Sequence, residues 1–148
     1  MTRDFTATTF VVQEAKTLLI FHKKIQEWFP AGGHIDANEL PCDAAVREVQ
    51  EETGLLVSLL TPRSRMGTVE ILAQPECILL EPISPDHQHI DLIYFADVTG
   101  GSLRIAESEA DDFRWCSAED LDDESIAEDI RRLGKQAIEK VQQARVQV

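Results

Sequence analysis

The chain has 148 residues, 43% of them hydrophobic, which is enough for one packed domain and too apolar for general disorder. Its 27 acidic and 14 basic side chains give a formal net charge of −13. That sign repels a phosphate backbone and an anionic bilayer, so coating of long nucleic acid and docking on a membrane are excluded as general roles, whereas a small anionic ligand held through a cation stays open.

The predicted elements run as follows. Phe5 to Val12 and Leu18 to Lys24 are rich in β-formers and flank the polar Gln13-Glu14-Ala15-Lys16, which predicts a hairpin. Pro30-Ala31-Gly32-Gly33 reads as a sharp break. Pro41 suits a helix first turn, and Cys42 to Thr53 is helical, with Cys42, Ala45, Val46, Val49 and Thr53 on one stripe and Gly54 as the cap. Leu55 to Leu60 is a strand closed by Thr61-Pro62. Cys77 to Ile83 and Ile90 to Val98 are strands around a polar loop, Ser84 to His89, and Phe113 to Cys116 is a short strand. Ile126, Ile130, Leu133, Ala137, Ile138 and Val141 define a closing amphipathic helix. The apolar runs are too short and interrupted for a transmembrane helix, and Met1 to Phe10 has no basic start followed by an apolar stretch. Three scattered cysteines, Cys42, Cys77 and Cys116, form neither a disulfide framework nor a CxxC metal site, so a reducing, cytoplasmic setting is expected.

One helix opposes local preference. Glu48, Glu51 and Glu52 crowd its last two turns at offsets i, i+3 and i+4, which puts them on one face. Acid near a helix C-terminus opposes the macrodipole at about 0.3–1 kcal/mol each when exposed. Arg47 reaches Glu51 at i+4, but one guanidinium does not neutralise three carboxylates. The face is either ordinary solvated charge or a cation site, and its oxygen donors suit Mg²⁺ or Mn²⁺ over Zn²⁺. A second acidic stretch, Glu107 to Asp129, has eleven acids and one base, Arg114. It reads as solvated surface, with a loop facing a metal as the functional alternative and a surface for a basic partner as another.

From Gly33 the chain gives five residues, Glu39, seven residues, Arg47-Glu48-Val49, one residue, Glu51-Glu52, one residue, Gly54-Leu55. This resembles the Nudix box, G-x5-E-x7-R-E-U-x-E-E-x-G-U with U aliphatic, and every specified position is filled. The resemblance implies a Nudix-like α/β/α sandwich with a mixed central sheet. It implies a metal-dependent pyrophosphohydrolase acting on a nucleoside diphosphate linked to a moiety X, with a non-catalytic nucleotide sensor as the alternative. By the same resemblance Glu51 and Glu52 are the principal metal ligands, and Glu48 is a ligand and general base. Arg47 and Glu39 are the ion pair that orients them, and the Gly32 carbonyl is a further ligand. Glu109, with Glu107 as rival, matches a later loop glutamate that ligates or acts as base. A small nucleotide substrate and a homodimer are the implied partners. Asn38 stands where glycine is common and Asp36 where glutamate is, and asparagine tolerates the left-handed backbone such a turn needs.

Outside the box, His87, His89 and Asp91 alternate and would point the same way from an extended chain. They are candidates for phosphate or ribose contact or for a second metal site, against a plain polar hairpin end. Trp28 or Phe29 either stacks on a base or packs at the core rim. Cys42, Trp115 and Phe113 read as core, and Arg63 and Arg65 as a surface pair or as steering groups for a terminal phosphate.

Overall fold

A computed structural model describes residues 1–105 and 110–146 of the chain, with no side-chain description for 110 and 111. The first strand, β1 (Thr2–Gln13), turns through Glu14 and Ala15 into β2 (Lys16–His22). Val12 pairs with Thr17 and Gln13 with Lys16, so the hairpin loop has two residues, both with positive φ (50° and 62°). The strands β3 (Glu27–Phe29) and β4 (Ala31–His34) come next, then helix α1 (Pro41–Thr53) and β5 (Leu55–Leu59). A small two-stranded ribbon, β6 (Ser64–Met66) and β7 (Val69–Ile71), precedes β8 (Cys77–Ser84) and β9 (His87–Gly101). The chain ends with β10 (Ala110–Cys116), a short 3₁₀ turn at Asp120–Asp122 and helix α2 (Glu128–Val146).

The main sheet has eight strands in the order β10-β2-β1-β9-β5, with β3 on β2, β4 on β1 and β8 on β9. β1 and β9 run parallel, from Thr2 opposite His87 to Val12 opposite Asp97, and the other pairings are antiparallel. Two-residue alternation divides the core. Phe10, Val12, Leu19, Ile93 and Phe95 meet Ile130, Ala137, Ile138 and Val141 of α2 on one face. Val11, Leu18, Ile20 and Ala96 meet Val49 of α1 on the other, where Ala7 and Tyr94 also pack on Cys42, Ala44 and Ala45. The arrangement is an α/β/α sandwich around a mixed sheet, as expected.

Several local readings change. Pro30-Ala31-Gly32-Gly33 is not only a break, because residues 31–34 pair with Thr9 to Thr6 of β1. Four residues with two glycines carry no strand pattern of their own, and it is the long partner that recruits them. The loop expected over Ser84 to His89 shrinks to a tight turn, since β8 ends at Ser84 and β9 starts at His87. Phe113 is 40% exposed rather than core, whereas Trp115 packs partly buried against the α1-side cluster. Val46 is only half-buried, and the acid Glu52 joins the buried side of the helix. Cys42 is buried as expected, and the three cysteines are free thiols. Arg63 pairs with Asp43 and Glu70 at the surface. Among the described residues no helix is long and apolar enough to cross a membrane.

Candidate active site

The acidic helix face is assembled by three pieces of backbone. β4 brings Gly32 and Gly33 alongside β1, the segment 35–40 turns the chain, and α1 carries the glutamates back over the turn. The turn is closed by the Glu39 N–H on the Asp36 carbonyl (3.1 Å) and the Asp36 N–H on Glu39 Oε1 (3.0 Å), with Asn38 at φ 66° in the left-handed region. Leu40 makes no side-chain cap bond, but Pro41 starts the helix. Gly54 ends it at φ 77°, donating its N–H to the Gln50 carbonyl.

Arg47 gathers the carboxylates. Its Nε and Nη2 donate to the two oxygens of Glu39 (2.7 and 2.9 Å), Nη1 donates to Glu48 Oε1 (2.9 Å) and Glu51 Oε2 (3.0 Å), and Nη2 also reaches the His34 carbonyl (3.0 Å). The two-pronged contact explains why Glu39 is held below the ordinary carboxylate range and why the guanidinium is held still more firmly charged. One guanidinium therefore touches three of the four glutamates, more than the i+4 contact to Glu51 alone that the sequence spacing predicts.

Glu52 is held from β4 instead. It is 6% exposed, and its Oε1 accepts the Gly32 N–H at 2.7 Å. Gly33 lies against Glu48 so closely that a Cβ there would stand 2.6 Å from the carboxylate carbon. The glycines are thus a spatial requirement, leaving room for carboxylates to approach backbone. A buried acid, a glycine cradle and a set of hard oxygen donors around Glu48, Glu51, Glu52 and the Gly32 backbone fit a divalent cation of the Mg²⁺ or Mn²⁺ kind. Glu107 and Glu109, the later glutamates expected from the resemblance, lie outside the described residues.

Gly32 and Gly33 also line a cavity of about 640 Å³ between the sheet and the start of α2. Its walls include Phe29, His22, Leu79, Ile93 and Ile130, its mouth His34 and His89, and its floor Asp91 and Glu81. Asp91 is 3% exposed and accepts hydroxyl hydrogen bonds from Thr6 (2.9 Å) and Thr8 (2.8 Å). Glu81 adjoins it from β8, and burial next to the Asp91 carboxyl pushes Glu81 up to about 8. Asp91 is raised too, chiefly by burial, against the pull of the Thr8 and Thr6 hydroxyls. Burial thus holds both carboxyls toward their protonated forms.

The sequence-predicted contacts divide here. Phe29 and His89 line the cavity, but Trp28 does not: it packs on Phe21 with ring centroids 5.1 Å apart, under the Arg114 guanidinium. His87 is not among the lining residues and pairs with Asp4 at 2.7 Å, which holds the Asp4 carboxyl down. Glu81 was missed by sequence reasoning. Its signal was a lone acid within the apolar run Cys77 to Ile83.

Comparisons with known proteins follow the same lines. The sequence model of the family described as NUDIX domain matches residues 2–136. A crystal structure of a hydrolase, NUDIX family, from Clostridium perfringens superposes with a TM-score of 0.85 at 35% identity, covering 95% of this chain and 99% of that one. A Bacillus subtilis (strain 168) protein provisionally named an 8-oxo-dGTP diphosphatase is 28% identical over 76% of this chain and 67% of its own length. A Lactococcus lactis subsp. cremoris (strain MG1363) protein provisionally named a DHNTP pyrophosphohydrolase is 28% identical over 70% of this chain, and the match spans only 60% of that relative's length.

Proposed function

The chain belongs to the Nudix family and is a hydrolase of phosphoanhydride bonds, and from that premise we propose that it is a Mg²⁺- or Mn²⁺-dependent pyrophosphohydrolase. Its substrate is a nucleoside diphosphate linked to a moiety X, with water as the attacking group at phosphorus. The observation that carries the reading is the position of Gly32 and Gly33. The same two residues touch the glutamates of α1 and line the cavity, so a ligand in the cavity brings its phosphates up to the carboxylates.

Glu48, Glu51, Glu52 and the Gly32 carbonyl hold the ion, and Glu109 or Glu107 is a further ligand or base. A bound divalent ion supplies charge neutralisation at the phosphate oxygens. The chain's own groups do the rest. Arg47, anchored on Glu39, fixes the Glu48 and Glu51 carboxylates in place, and Glu48 takes the proton from the attacking water. The Gly32 N–H fixes the Glu52 carboxylate. The cavity walls exclude water around the nucleoside, and the protonated Glu81–Asp91 pair offers it one donor beside its acceptors. Positioning and charge neutralisation supply most of the rate enhancement.

The test is a hydrolysis screen with Mg²⁺ and Mn²⁺ over oxidised nucleoside triphosphates, ADP-ribose, dinucleoside polyphosphates and sugar nucleotides. The two relatives' names put 8-oxo-dGTP and DHNTP first. The expected result is metal-dependent turnover of at least one class that Glu52→Gln abolishes. Saturable binding of every class without product would replace the enzyme with a nucleotide sensor.

A further inference from the structure

Three of the chain's four histidines gather around one carboxylate, Asp4, and two of them, His34 and His89, also line the cavity. In the parallel register Asp4 of β1 lies opposite His89 of β9, and in the antiparallel register Thr6 lies opposite His34 of β4. Alternation puts Asp4, His87 and His89 on one face of the sheet. The His87 Nε2 lies 2.7 Å and the His34 Nε2 3.6 Å from the same oxygen, Asp4 Oδ2. The His89 ring packs edge-on against both others, with centroids 5.1 Å from His87 and 5.2 Å from His34. One donor atom from each of Asp4, His87 and His89 lies within 4.8 Å of the other two.

We propose that Asp4, His87 and His89, with His34 as a fourth donor, bind a single Zn²⁺-class transition-metal ion, separate from the site on α1. Donors around a tetrahedral ion at roughly 2.0–2.2 Å stand about 3.3–3.6 Å apart, so the Asp4, His87 and His89 donors, which lie within 4.8 Å of one another, close on an ion by side-chain shifts of about an ångström. Imidazole and one carboxylate select Zn²⁺, Co²⁺ or Ni²⁺ over Mg²⁺, the reverse of the all-oxygen set on the helix. A strand-end ion pair between Asp4 and His87 accounts for one contact but not for two further imidazoles on the same oxygen and ring. The ion clips the first strand to β4 and β9 and places positive charge where anionic substrate enters, since His34 and His89 both line the cavity.

The test is a Co²⁺ and Zn²⁺ titration of the full chain in excess Mg²⁺, which saturates the oxygen donors, followed by visible absorption and calorimetry. The expected result is one ion per chain, with the intense visible bands of four-coordinate Co²⁺. His87→Gln and Asp4→Asn should each weaken Zn²⁺ binding by on the order of 100-fold with unchanged far-UV circular dichroism, while Glu52→Gln leaves it intact. Either variant alone suffices if the other fails to fold. No stoichiometric Zn²⁺ binding by the wild type, equal binding by the folded variants, or loss of binding in Glu52→Gln overturns the proposal.

Discussion

The molecule holds two sets of crowded acids and quiets them in opposite ways. At α1 and the turn before it, Glu39, Glu48 and Glu51 are gathered by Arg47 while Glu52 takes a backbone N–H, and Glu48 and Glu52 sit against the glycine strand. In the cavity, Glu81 and Asp91 lie side by side among apolar walls, and burial pushes both carboxyls toward the protonated form. The residue types are nearly the same. The difference is the dielectric surroundings and the presence of a guanidinium, which keeps one set charged while burial pushes the other toward the protonated form.

The sharpest way to break the contrast is to remove charge from the helix set. Glu52→Gln and Glu51→Gln should each lower kcat by on the order of 10²–10³ in a steady-state assay, with the fold unchanged by circular dichroism. Arg47→Lys keeps a charge but loses the planar fork on Glu39, so kcat/KM should drop by about 10–100-fold, read at saturating metal. The glycines separate catalysis from folding. A Cβ at Gly33 meets only the movable end of Glu48, so Gly33→Ala should cut kcat by about 10-fold while Tm holds. A Cβ at Gly32 meets the Ala7 carbonyl at 2.8 Å and Thr8 Cα at 2.9 Å, so Gly32→Ala should lower Tm by several degrees, on the order of 1–3 kcal/mol, in a thermal melt.

The smallest effect belongs to the cavity floor and depends on pH. Glu81 is faced by Asp91 and Asp129, with His89 opposite it in the hairpin register. Its folded value of about 8 lies above the ordinary 4.5. Between those values the unfolded chain has released a proton that the folded chain keeps, so stability declines as pH rises from about 4.5 to about 8. Glu81→Gln imitates the protonated form. It should leave Tm unchanged near pH 4.5 and raise it by a few degrees at pH 8, on the order of 1 kcal/mol once solvent screening is allowed for.

Local pattern made the hairpin, α1, the outer strands and α2 legible from sequence, because each has its own periodicity, turn residues or caps, whereas the Asn38 turn was legible only through the Nudix resemblance. The helix carboxylates were legible because their spacing is local. β3, β4 and the ribbon β6–β7 were not, since three- and four-residue strands are too short to carry an alternation of their own and take their conformation from the strand they pair with. The Glu81–Asp91 pair depends on the β8–β9 register, which the overlong loop reading over Ser84 to His89 concealed. His87 was readable as a polar strand end, but its partner Asp4 is 83 residues away in sequence and only the parallel pairing brings them together.

A Mn²⁺ titration followed by electron paramagnetic resonance, comparing the wild type with Glu52→Gln, bears most directly on the proposed cation site of α1. The free-ion signal should be depleted by the wild-type chain, and the variant should need at least about 10-fold more protein to deplete it equally. Matching depletion curves for the two folded proteins would contradict the assignment of the helix carboxylates as a metal site.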